Sequence, residues 1–239
     1  AIGHQAEASG ADSISIGTLS GASNTHSIAI GEKARAYGID AIALGASANA
    51  TQTNSMAIGR NARSTAAGSV AVGINTEVTQ VNSVAMGATA KAYGDSAVSL
   101  GVDVVSRGHS AVAVGANADA LAQSAISIGD STLANAHNAV SVGISSQATA
   151  ERAIAMGDST RATAGDTVAI GTAAKATANY AIAIGKDALA NQETATAVGI
   201  GSEATSQYAA AFGNSAKANV MWGTAIGTGS LANVAAGAV

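Results

Sequence analysis

A large aliphatic residue, a small residue and a second large residue precede a glycine, and the phrase returns every fourteen residues. Ile28, Ala29, Ile30 and Gly31 are followed by Ile42, Ala43, Leu44 and Gly45. The glycine never misses its place. It stands at Gly3, Gly17, Gly31, Gly45, Gly59, Gly73, Gly87, Gly101 and Gly115, then at Gly129, Gly143, Gly157, Gly171, Gly185, Gly199, Gly213 and Gly227. Seventeen of the 28 glycines are thus one repeated position, without insertion or deletion. The residue before the glycine is always apolar, and the residue three before it is Ile, Val or Met from Ile14 to Ile182. The positions two and four before it are nearly all Ala or Ser. Large and small side chains alternate with period two, which predicts a strand and excludes a helix.

A second, weaker alternation follows each glycine. Small residues such as Ala34 and Ala36 interleave with Arg35 and Tyr37, predicting a short strand with one small face and one solvated face. Polar residues and glycines punctuate both ends. Each unit therefore reads as strand, turn, strand, turn. A strict period without slippage means that successive units touch in register, as in a solenoid of stacked coils about 4.8 Å apart.

Fourteen residues make a thin coil. The expected packing has the large residues of the first strand meeting the alanines of the second inside it. That leaves the other face of the first strand, with Ala29, Ala43, Ala57, Ala71 and Ala85, as a flat, small, uncharged strip. A strip of that kind predicts self-association with rotational symmetry, the backbones approaching closely.

Composition narrows the function. Aromatics are only 3% and charged residues 11% of the 239, too apolar for a disordered chain. No apolar run approaches a spanning helix. No leader stands at Ala1, so a mature or excised fragment is expected. The net charge is −4 with scattered Lys and Arg, which argues against a nucleic-acid partner. Cys and Pro are both absent, which suits a bacterial surface protein and many cytosolic ones alike.

Candidate chemistry is sparse. His109 and His137 share one register two layers apart, too far to hold one metal ion within a chain. Asp12, Asp40 and Asp166 share a column with Asn54, Asn82 and Asn138, where Asx residues close turns. The nonapeptide pattern of calcium-binding rolls is missing, and no metal or cofactor is expected. Tyr180, Tyr208 and Trp222 fall in that column too, near the C-terminal end, where Thr196, Ala210 and Thr224 replace the usual Ile or Val of the first strand. They read either as binding aromatics or as compensation for lost core volume. Tyr37 and Tyr93 lie on the predicted outer strand face. Charges such as Glu32, Lys33, Arg35, Arg60 and Arg63 read as a solvated face that discourages edge-wise aggregation. No carboxylate pair, nucleophile–base constellation or pocket-forming loop is present, so an enzyme is not expected. An ice-binding solenoid is the alternative, from the ranks Thr51, Thr65, Thr79 and Thr149, Thr163, Thr177. Tyr93, Arg107, Leu121 and Asn135 interrupt that column.

The phrases "NSVAMG" at 82–87, "NSMAIG" at 54–59, "HSIAIG" at 26–31 and "NAVSVG" at 138–143 resemble the head repeat of YadA-like trimeric autotransporter adhesins. So does "AKATANYAIAIG" at 174–185, and the resemblance covers the whole chain. "LANVAAG" at 231–237 resembles the opening of the neck that follows such heads, giving head repeats over 1–230 and a neck from 231 to 239. The resemblance implies an all-β, left-handed parallel β-roll of about 17 coils, wound as a homotrimer. It implies an adhesin on the surface of a Gram-negative bacterium, exported across the outer membrane, anchored by a segment beyond this sequence. Collagen, fibronectin or laminin would be its matrix partners. Carried over residue by residue, the ligand contacts would be Asn54, Ser55, Asn82 and Ser83, with Tyr37 and Tyr93 as further candidates.

Overall fold

A computed structural model describes residues 1–234; the end of the expected neck, 235–239, lies outside the described residues. The chain divides into two compact units, Ala1–Ala118 and Asp119–Val239. Both are parallel β-solenoids, and the described residues contain no helix.

In the first unit, eight three-residue strands run from Ile14–Ile16 to Val112–Val114. Each pairs in parallel with the equivalent residues fourteen further on, as Val70 with Val84 and Ala71 with Ala85. Two-residue strands from Glu7–Ala8 to Val105–Ser106 form the opposite sheet in the same register. The coil of Gly3 contributes only a single bridge, Ile2 to Ile16, so the expected coil there has no full first strand. The second unit repeats the plan, with three-residue strands from Ile126–Ile128 to Thr224–Ile226 and short strands from Asp119–Ala120 to Leu231–Ala232. Leu231–Ala232 pairs with Lys217–Ala218.

The turns explain why the fold needs its glycines. Gly31 accepts a hydrogen bond from the Ala34 amide at 3.2 Å, and Lys33 between them has φ 56°. The second turn repeats this, with the Ala41 amide donating to Gly38 O and Asp40 at φ 55°. The repeat glycine itself sits at φ near 130°. A Cβ built on Gly129 would lie 1.7 Å from the carbonyl oxygen of Gly143, its equivalent in the following coil. Both a forbidden backbone region and a stacked neighbour therefore exclude any side chain there.

The structure corrects the assignment of faces. Ala29, Ala43, Ala57, Ala71 and Ala85 are fully buried inside the roll, not on its surface. The aliphatics beside them, such as Ile28 and Ile30 or Val84 and Met86, point outward. The cause is the turn. A β-turn holds its end residues within about 7 Å, whereas sheets that interleave large side chains stand about 10 Å apart. Among the described residues, the buried side chains between the strands are Ala, Ser, Thr and two valines, Val78 and Val104. The second strand behaves as expected, with Ala34 and Ala36 buried and Arg35 exposed.

Most interior serines and threonines are partnered within the roll, although the Ser13 hydroxyl is buried without a partner. Ser15 meets Ser20 at 2.7 Å, Ser99 donates to Ser106 at 2.8 Å and Ser64 meets Ser69 at 2.5 Å. Others return to the backbone, as Ser27 Oγ donates to Asn24 O at 2.6 Å. These buried hydroxyls thus keep their hydrogen bonds without large side chains.

Candidate interaction surface

Pushing the large residues outward builds an apolar face on each unit. In the first, Ile28, Ile42, Met56, Val70, Val84 and Val98 form one rank and Ile30, Leu44, Ile58, Val72 and Met86 the next. Leu44 is 41% and Met86 45% exposed. The second unit carries the two ranks as well, with Met156, Ile170, Ile184 and Phe212 among the exposed members, but Thr196, Ala210 and Thr224 end the aliphatic run of the first rank. Ranks of part-exposed aliphatics in successive coils exceed the scattered apolar residues of an ordinary surface. The ranks continue around one edge, where Ile74 and Val102 in the first unit and Ile144 and Ile200 in the second follow the repeat glycine and are exposed.

The opposite sheet is polar, and its side chains interact between neighbouring coils. Arg63 Nη1 lies 3.6 Å from Glu77 Oε1, and Lys217 Nζ lies 3.0 Å from Glu203 Oε1. Exposed pairs of this kind contribute little to stability. Tyr93 reaches back across one coil and donates from its hydroxyl to Glu77 Oε2 at 2.6 Å. Burial, then the hydrogen bond and charge of Glu77, push the Tyr93 phenol up to about 12. Tyr37 makes the equivalent reach over Gly21, where an added Cβ would stand 3.2 Å from the ring.

Ladders also form along the second turn. His26 Nδ1 lies 3.0 Å from Asp40 Oδ1, and His26 Nε2 lies 3.8 Å from Asp12 Oδ2. Arg152 donates from Nε and Nη2 to the two oxygens of Asp166 at 2.5 and 2.8 Å. These hydrogen bonds hold the Asp166 carboxyl below its ordinary value. Tyr208 and Trp222 stack with ring centroids 4.0 Å apart and planes 8° from parallel. Sequence reading placed these aromatics in one column, but the stacking is visible only once the coil spacing is known.

The proposed contact residues separate. Asn54 and Asn82 are exposed on the second turn at φ 57° and 54°. Tyr37 is exposed, and Tyr93 is half-buried against Glu77. Ser55 and Ser83 are a correction: both are fully buried, donating to Gln52 O at 2.6 Å and Gly94 O at 2.7 Å. They lie on the narrow inner face and cannot touch a ligand. His109 and His137 are exposed turn residues. The described residues contain no group of three metal-ligating side chains.

The family model for the YadA head domain repeat matches residues 1–20, 22–48, 50–76, 79–103, 106–132, 134–160, 162–188 and 190–216. The chain belongs to this family. Each match spans close to two of the fourteen-residue units of the YadA head repeat, in keeping with a family description that counts two copies. Among solved structures, the crystal structure of the collagen-binding domain of the Yersinia adhesin YadA is 30% identical, with a TM-score of 0.30. The similarity covers 66% of this chain and 65% of that one. No curated protein matches.

Proposed function

We propose that this chain is the head of a trimeric bacterial surface adhesin. Three copies would pack their aliphatic ranks together, each wound as a left-handed roll, and present the polar sheet and turns outward. The observation that carries this reading is the pair of outward aliphatic ranks, which a lone chain leaves half-exposed to water. Burying one such side chain contributes roughly 1.5–3 kcal/mol, so closing the face favours assembly. The proposed interface is therefore the Ile28 and Ile30 ranks in place of the Ala29 column. Repetition of one surface along the head gives many weak contacts, and avidity rather than a single pocket supplies the attachment.

The proposed ligands are host extracellular-matrix proteins of the collagen, fibronectin or laminin class, with Asn54, Asn82, Tyr37 and Tyr93 as contacts. Membership of the YadA head family supports this. The proposed location is the outer surface of a Gram-negative cell. Light scattering on a sizing column tests the assembly: about three times the 22.8 kDa of the chain is expected. Binding to immobilised collagen, fibronectin and laminin tests the ligand class. A folded monomer, or an assembled head that binds none of the three, would overturn the corresponding half of the reading.

A further inference from the structure

One segment of the second turn breaks the pattern of its column. The position takes φ near 55–60° in successive coils, and elsewhere it is held by residues such as Asp40, Asn54, Gly68, Asn82 and Ser96. These are the types that accept the left-handed region at least cost. Toward the C-terminal end of the second unit the occupants are Tyr180, Thr194, Tyr208 and Trp222, at φ 60°, 59°, 60° and 61°. Bulky side chains in this region carry strain, and strain of this kind gathers where a site needs it. Hydrogen bonds from the Thr194 amide to Asn179 O, from Tyr208 to Glu193 O and from Trp222 to Gln207 O place the four in consecutive coils.

The stacked pair fixes how the rings stand. Tyr208 and Trp222 are separated by 4.0 Å, close to the coil spacing of about 4.8 Å, so their faces look along the stacking direction and their edges look out. Such a ladder offers no outward ring face for a sugar. It offers a gap instead, because Thr194 leaves its rung without a ring between Tyr180 and Tyr208. All of Tyr180, Thr194, Tyr208 and Glu193 are exposed. A flat group seated over Thr194 would lie about 4.8 Å from the rung on either side, inside the roughly 6 Å over which a cation is attracted to a ring face. Glu193, adjoining Thr194, carries a carboxylate that accepts from Gln207 Nε2 at 2.9 Å on one oxygen. Three rungs away the same column already holds a guanidinium: Arg152 is gripped by Asp166 one coil on.

We infer that the rung at Thr194 is a slot for the arginine side chain of a protein partner, stacked between Tyr180 and Tyr208 with Glu193 alongside. The guanidinium is planar and stays charged at any working pH, whereas a lysine ammonium would present a strongly hydrated point charge. The slot stands independently of which matrix protein the head binds.

The test is a proton NMR titration of this chain with N-acetyl-arginine amide, against N-acetyl-lysine amide and N-acetyl-proline amide. Saturable upfield shifts of the arginine Cδ protons are expected, with lysine and proline amides at least about fivefold weaker. Tyr180→Asn should weaken arginine binding about fivefold while raising the melting temperature, because Asn suits the backbone better. Loss of binding in that variant therefore cannot be blamed on misfolding. Thr194→Tyr, which fills the rung, should abolish binding. Absence of saturation by arginine amide, equal binding of lysine or proline amide, or undiminished binding in Thr194→Tyr would each overturn the slot. A head that fails to bind collagen, fibronectin or laminin would leave these outcomes unchanged.

Discussion

Ser141 and Ser146 face each other across the interior of one coil, their hydroxyl oxygens 2.6 Å apart and each the other's partner. Other coils place two alanines at the same positions, as Ala183 and Ala188. Ser141→Ala alone should cost about 1–3 kcal/mol, because Ser146 is left buried and unpartnered. The double change Ser141→Ala with Ser146→Ala should cost clearly less than two single changes added. Thermal denaturation of the three variants checks this; additive losses would mean that the pair is not coupled.

The order of large and small residues matters more than their presence. Exchanging neighbours by Val84→Ala with Ala85→Val keeps the composition and puts the larger side chain into the narrow interior. The expected result is a loss of about 3 kcal/mol or more from overpacking. Val84→Ala alone should leave the coil folded, since it trims only the outward face. Circular dichroism melts of the single and exchanged variants separate the two outcomes.

Charges on the outward ranks test assembly directly. Val70→Glu with Val84→Glu should keep the parallel β-structure and shift the light-scattering mass toward that of a single chain. Retention of the assembled mass would place the interface elsewhere.

Two glycines that look alike in sequence should behave oppositely. Gly129→Ala brings a Cβ to 1.7 Å from the Gly143 oxygen and should prevent folding of the second unit. Gly201, at φ 62°, has only Ser215 Oγ within 4 Å of its ideal Cβ, at 3.8 Å. Gly201→Asn should be neutral or stabilise by about 0.5 kcal/mol through lower unfolded-state entropy. Proteolytic resistance and melting temperature read both.

Tyr93 gives a pH signature. Its phenol is pushed up to about 12, first by burial and then by Glu77. A raised folded value means that the neutral phenol is favoured in the fold. The contribution is full below the unfolded value near 10 and is lost as pH rises through about 12. Glu77→Gln should move the titration at 295 nm partway back toward 10, the burial part remaining. An unchanged midpoint would remove Glu77 from the account.

Period, strand order and turn positions were legible because the repeat glycine and the alternating Ile28–Ala29–Ile30 pattern are written in every unit. The inner face was not, since alternation says that two faces differ without saying which is inside. The two-residue turn between Gly31 and Ala34 decides it by limiting the gap, and with it goes the role of Ser55 and Ser83. The Tyr93–Glu77 contact and the Tyr208–Trp222 stack join side chains from different coils. They follow from the register once the coil spacing is fixed, and Tyr93 reaches Glu77 by a diagonal that no single repeat contains.

The pairing of each residue with its counterpart fourteen positions on also shapes how such a chain can change over generations. A gene that gains or loses fourteen codons anywhere within the repeats restores the same inner columns, turns and stacked glycines at the join. A change of any other length misaligns every later glycine with its neighbour. Length is thus the trait this architecture leaves free to vary in whole coils, while the local chemistry of each coil is inherited intact.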